Sequence, residues 1–116
     1  MGTDDKSRSL VQGTLDMLIL KTLALEPLHG YGIAARIEQI SRGVFQVNAG
    51  SLFPAFRRLE RDGLIKPEWR ETENHRRAKW YGLTPQGRAN LKRYTQDWDV
   101  QTAAIARILH ASSGDR

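Results

Sequence analysis

Leu91, Tyr94, Trp98, Gln101, Ile105 and Ile108 recur at alternating intervals of three and four residues, which places them along one seam of a helix, apolar but for the glutamine. The start of that helix is written just before them. Thr84 can cap the free N–H groups of a first turn, and Pro85 takes the helical position where a missing N–H is harmless. The helix is expected to run to about Leu109, on the order of 38 Å at 1.5 Å per residue. In a chain of 116 residues, such a rod outreaches the small domain that precedes it. Its seam needs cover from Leu15, Leu18 and Ile19 of the first helix, from a second copy of the chain, or from both.

A chain this short suits one domain with a modest core. Hydrophobic residues make up 40% of it, above what a disordered chain carries. There is no cysteine, hence no disulfide framework and no thiolate metal site, which fits a reducing compartment. No apolar run approaches the roughly 20 residues needed to span a bilayer. The most apolar stretch, Met17 to Leu25, is interrupted by Lys21 and lacks a signal-peptide cleavage pattern. The expected setting is the cytoplasm, with no membrane partner.

The first 84 residues read as three helices and a hairpin. Thr14 or Gly13 can cap a first helix to Leu25, apolar on nearly all sides and so expected to be largely buried. After Pro27 comes His29-Gly30-Tyr31-Gly32 and a helix to about Ser41, with Ile33, Ile37 and Ile40 on one stripe. Gly43 breaks it, and Val44 and Val47 are expected to plug the turn from inside. A third helix starts near Ala49 or Ser51 and ends near Asp62, with Ser51 as its expected cap. Leu52, Phe56 and Leu59 face inward and Arg57, Arg58 and Arg61 outward, and Gly63 suits a left-handed stop with Leu64 packing back. The period then changes to two over Ile65–Thr72 and Ala78–Thr84. A turn centred near Asn74 and His75 would set Trp69 opposite Trp80, with Tyr81 and Leu83 on the core face.

The charge is uneven. Net charge is +5, yet residues 1–63 carry 8 basic and 7 acidic side chains, whereas residues 64–93 carry 8 basic and 3 acidic. A basic hairpin beside a two-helix unit suggests an anionic polymer as partner, although a solvated basic hairpin would have the same composition. A helix-turn-helix unit offers its second helix to the DNA major groove, N-terminal residues foremost. Asn48, Ala49, Gly50, Ser51 and Pro54 are therefore the base-proximal candidates, Asn48 and Ser51 by hydrogen bonding and the small residues by permitting close approach. Ser51 serves equally well as a plain cap. Arg57 and Arg58 are candidates for phosphates, or for a solvated face with Glu60 and Asp62 as partners. Tyr31 joins the DNA-facing set from the head of the second helix. His75, Arg76 and Arg77, with Lys79 on the return strand, form a wing suited to phosphates or the minor groove.

Several linked stretches carry a resemblance: Leu-Val-Gln-Gly-Thr-Leu-Asp-Met-Leu-Ile-Leu (10–20), His29 to Ile33, Gly50-Ser51-Leu52-Phe53-Pro54-Ala55, Arg58 to Ile65, Arg76 to Tyr81, and Leu83-Thr84-Pro85-Gln86-Gly87-Arg88. In this order they are similar to the PadR family of bacterial transcriptional regulators, most of all to the short members found in acidobacterial genomes. The likeness spans roughly residues 8–110. It implies a mainly α fold with a small β-hairpin: a winged helix-turn-helix over 10–84 and a C-terminal dimerisation helix over 85–110. Tails at 1–9 and 111–116 are expected to be disordered. It further implies a homodimer on double-stranded DNA at a pseudo-palindromic operator, repression of a nearby operon and, in some members, release by a small aromatic or drug-like effector. Phe53 stands where the family carries tyrosine and Phe56 where leucine is common.

The dimer-interface candidates are Leu15, Leu18, Leu91, Tyr94, Trp98, Gln101, Ile105 and Ile108. Trp98 with Tyr94 could also stack a planar effector, and a module whose main task is small-molecule or partner binding is the alternative reading; a tryptophan that simply fills the dimer core is the plainer one. An enzyme is not expected. His29, His75 and His110 lie in unrelated elements, there is no paired metal-ligand spacing, and Gly30 with Gly32 is too short for a nucleotide fingerprint. No cofactor or metal is called for.

Overall fold

The computed structural model describes residues 14–114. The expectations for a tail at 1–9, for Gly13 as a cap and for the last two residues lie outside that range. The elements run α1 (Thr14–Leu25), β1 (Leu28–His29), α2 (Gly30–Ile40), α3 (Ala49–Arg61), β2 (Ile65–Glu71), β3 (Arg77–Leu83) and α4 (Pro85–Leu109). The sheet is antiparallel in the order β1-β3-β2. The fold is the expected winged helix with a long C-terminal helix, and its sheet has one more strand than the hairpin. β1 is two residues long, too short to show a period, and pairs Leu28 with Tyr81 and His29 with Trp80.

One core joins the elements. Ile19, Leu20 and Leu23 of α1 meet Ile33 and Ile37 of α2, Leu52, Ala55, Phe56 and Leu59 of α3, and Leu64, Ile65 and Tyr81 of the sheet. Thr22 is buried among them because its hydroxyl donates to the Leu18 carbonyl at 2.7 Å. Phe56 is 1% exposed, and truncating a ring so enclosed costs about 3–5 kcal/mol. Leu25 is 46% exposed, so α1 is less completely covered than its composition suggests.

Three local expectations are corrected. Ser51 does not cap α3. Asn48 does, its Oδ1 accepting from the Ser51 N–H at 3.0 Å, so the helix begins at Ala49 and Pro54 stands inside it. Ile40 is 56% exposed at the last turn of α2, and Val44 is 67% exposed. Val47 and Phe45 are the residues that pack on the core from this turn. Gly43 (φ 81°) stands just past α2 as expected, its N–H on the Glu38 carbonyl, and Arg42 before it is left-handed too (φ 56°), its N–H reaching the Gln39 carbonyl. The third correction is the hairpin register. Thr72 N–H bonds the Arg76 carbonyl at 2.7 Å around a three-residue loop, and His75 takes the left-handed conformation (φ 59°). An odd loop moves the pairing by one: Trp69 faces Lys79 and Glu68 faces Trp80, so the two tryptophans lie on opposite faces.

The last helix begins and ends where expected, with the Thr84 hydroxyl accepting from the Gly87 N–H at 2.9 Å. Leu91 and Tyr94 pack against the core together with Leu15 and Leu18. Beyond them the helix projects freely, giving the chain extents of 65 × 35 × 23 Å.

Candidate nucleic-acid interface

The second helix presents an aromatic relay. His29 caps α2, its Nδ1 accepting from the Gly32 N–H at 3.1 Å, and its ring meets Trp80 edge-on at 5.3 Å. Tyr31, in the first turn, is 69% exposed. Its ring stands edge-on to Phe53 at 6.1 Å, Phe53 to Phe56 at 5.7 Å, and Phe56 lies on Tyr81 at 4.7 Å. An exposed phenol is thereby held in place by rings rooted in the core. Gly30 leaves room for this: a Cβ there would sit 3.1 Å from the Phe56 ring, which would have to shift by a few tenths of an ångström.

At the head of α3, Asn48, Ala49, Gly50 and Ser51 are all exposed and Pro54 is half-buried. Because Asn48 uses its amide oxygen for the cap, its NH₂ remains as an outward donor. Arg57 is exposed with no ion-pair partner among the described residues. Arg58 is turned elsewhere, its guanidinium 2.7 Å from Asp16 of α1, and Arg61 sits beside Asp62 at 3.3 Å. Of the three arginines, Arg57 alone is uncommitted among the described residues.

The wing divides similarly. Arg76 is exposed and makes no ion pair among the described residues, whereas His75 Nδ1 lies 3.0 Å from the Glu71 carboxylate. Arg77 stacks over the Trp69 ring at 4.9 Å. Lys79 reaches Glu60 of α3 at 3.5 Å and lies over Tyr81, tying wing to helix at its base. Between the wing and the helices runs a groove of about 420 Å³, bounded by Tyr31 and Phe53 on one side and by Thr72, Ala78 and Lys79 on the other, with the buried Tyr81 in its lining. α2, α3 and the wing thus border one depression.

The structure brings the residues proposed from sequence into two places. Tyr31 and Lys79 line the groove, and the first turn of α3 and the wing tip belong to the same three elements. Leu15, Leu18, Leu91 and Tyr94 cluster at the core, while Trp98 (39% exposed), Gln101, Ile105 (51%) and Ile108 (73%) lie outside it. Sequence reasoning missed two residues here, Phe53 as a wall of the groove and Trp69 as the support of Arg77. The second follows from the three-residue loop Glu73-Asn74-His75, which the structure reveals. Among the described residues no group of three or more His, Asp or Glu side chains could hold a metal ion, and no helix is long and apolar enough to cross a membrane.

Known proteins resemble this chain in sequence and fold. The profile of the transcriptional regulator PadR-like family matches residues 19–93. A transcriptional regulator of Mycobacterium tuberculosis is 33% identical over 84 residues, 72% of this chain and 75% of that protein. Among solved structures, a transcriptional regulator from Clostridium thermocellum superposes with a TM-score of 0.76 at 28% identity, covering 83% of this chain and 93% of that one. A PadR family transcriptional regulator from Eggerthella lenta gives 0.73 at 30% identity, covering 87% and 86%.

Proposed function

The chain belongs to the PadR-like family of transcriptional regulators, and from that premise we propose that it binds a pseudo-palindromic operator as a homodimer and represses the genes beside it. The observation that carries this reading is the shared groove: Tyr31 from α2, Phe53 from α3 and Lys79 from the wing border one depression. A duplex seated there meets the first turn of α3 and the wing tip together. In that pose the Asn48 amide and the Ser51 hydroxyl face base edges, with Ala49, Gly50 and Pro54 close against the groove. Arg57, Arg76, Arg77 and the Tyr31 hydroxyl face phosphates. Arg58 and Lys79 act inside the protein instead, through Asp16 and Glu60. Residues 10–84 form the DNA-binding domain and 85–110 the dimerisation helix. The uncovered seam from Trp98 to Ile108 pairs with its copy and sets two α3 helices at the spacing of two half-sites.

The test is binding of a duplex enriched from a random pool, measured by fluorescence anisotropy across a salt series. Replacing Arg76 and Arg77 together by alanine is expected to weaken binding about tenfold and to lower the salt slope by about 1.8, the loss of two phosphate contacts. A slope equal to that of the unaltered protein removes the wing from the interface. Failure of the unaltered protein to enrich any duplex removes the reading.

A further inference from the structure

The hairpin register assigns the two wing tryptophans to different environments. Trp80 lies on the face turned away from α3, with Arg70 stacked over it at 4.5 Å and His29 at its edge. Trp69 pairs with Lys79 and shares its face. That is the face on which α3 lies, since Tyr81 meets Phe56 there and Lys79 meets Glu60. Yet Trp69 is 55% exposed, with the Arg77 guanidinium stacked over its ring. A half-exposed ring on the outer part of this face, carrying a guanidinium, is placed to meet whatever is seated against α3 and the wing.

We propose that Trp69 is a DNA-contacting residue, its ring resting against the deoxyribose edge of one strand while Arg77, held flat upon it, bonds the adjoining phosphate. Resting on the DNA-binding reading above, this names a residue and a chemistry within it. The argument for duplex backbone over other partners is complementarity. A nucleic-acid strand sets apolar sugar beside anionic phosphate, and this face sets ring beside cation, Trp69 beneath the Arg77 guanidinium. A guanidinium stacked on indole loses little freedom when it binds and keeps its edge N–H groups free to donate in the ring plane. The face is also continuous with α3, so a duplex touching α3 and the wing tip passes it. Glu71, opposite Arg77 in the ladder, has its carboxylate on His75.

The experiment uses the full chain and the enriched duplex, with Trp69→Ala, Trp69→Phe, Arg77→Ala and the Trp69→Ala/Arg77→Ala pair, each checked first by thermal melting and sedimentation. Trp69→Ala is expected to fold and assemble normally, to bind about fivefold more weakly and to keep the salt slope, because Arg77 retains its charge. Trp69→Phe is expected to recover most of the loss. Arg77→Ala is expected to cost less in the Trp69→Ala background than alone, the sign that ring and guanidinium act together. Unimpaired binding by Trp69→Ala, strictly additive effects, or a loss traced to dimer formation each overturns the inference while leaving the DNA-binding reading in place. If the unaltered protein binds no duplex, both fall.

Discussion

The corner where α3, the sheet and α4 meet is built differently from the parts that reach outward. In the corner each backbone conformation has the residue that suits it. Gly63 takes the left-handed turn (φ 76°), the Leu64 N–H closes onto the Leu59 carbonyl at 2.9 Å, and Leu64 is buried. The Thr84 hydroxyl donates to the Gly63 carbonyl at 2.7 Å and accepts from the Gly87 N–H, so one side chain ends one helix and starts the next. The helix-turn, the wing tip and the far half of α4 lack this economy. Arg42 and His75 occupy left-handed conformations that glycine would adopt freely, and Ile105 and Ile108 stand in water. Stability is concentrated where the elements are joined. The surfaces assigned here to DNA or to a second subunit keep half-exposed rings and apolar side chains and, at His75, a left-handed conformation on a non-glycine residue.

The largest expected effect lies in the corner. A Cβ on Gly87 would collide with the Leu64 carbonyl oxygen and press on the Leu83 side chain. The first obstacle is backbone and cannot rotate aside, so Gly87→Ala is expected to destabilise the protein by about 3 kcal/mol, the upper end of overpacking. Urea unfolding at low protein concentration measures it. A loss below about 1 kcal/mol would mean that the corner yields easily and that the contrast with the outer parts is overstated.

Next comes the far half of α4. Ile105→Asp with Ile108→Asp puts two carboxylates on the exposed side of the helix, outside the core, so the isolated fold is expected to change by less than about 0.5 kcal/mol. The dimer, if the uncovered seam forms it, is expected to dissociate at least about a hundredfold more readily, or roughly 2.8 kcal/mol. Sedimentation equilibrium reads the second quantity and dilute thermal melting the first. A collapse of the monomer itself would place this half of α4 inside the closed body and dissolve the comparison.

The same contrast governs what could be read in the sequence. Residues acting through local chemistry were legible: Thr84-Pro85 as a helix start, Gly63 as a stop, and Leu52, Phe56 and Leu59 as a buried stripe all stand in the structure as the sequence implies. The misreadings occurred where the choice rests on tertiary context. Asn48 and Ser51 are both good caps, and the backbone between them decides which one serves. The hairpin could close on two or three residues, and that single residue determines whether Trp69 lies across from Trp80 or beside Lys79 on the face that carries α3. Arg58 looked like Arg57 along the chain, but only the packing of α1 on α3 supplies Asp16 as its partner. The groove was invisible for the same reason, since Tyr31, Phe53 and Lys79 are brought together by the fold alone.

The smallest effect tests whether the strain in the outer parts is dispensable. Arg42 follows the cap of α2 just as Gly63 follows the cap of α3, with the same pair of backbone hydrogen bonds closing each helix. At this position a side chain crowds the carbonyl oxygen that follows it, a penalty glycine escapes. Arg42→Gly is therefore expected to stabilise the protein by about 0.5–1 kcal/mol, after allowing for the greater freedom of glycine in the unfolded chain. Differential scanning calorimetry should register a rise in Tm of about 2–6 °C for a domain of this size. If DNA affinity is unchanged, the strained arginine is incidental to function. If stability rises while affinity falls and the salt slope drops by about 0.9, Arg42 belongs to the phosphate-binding set, and its strain is kept for that contact.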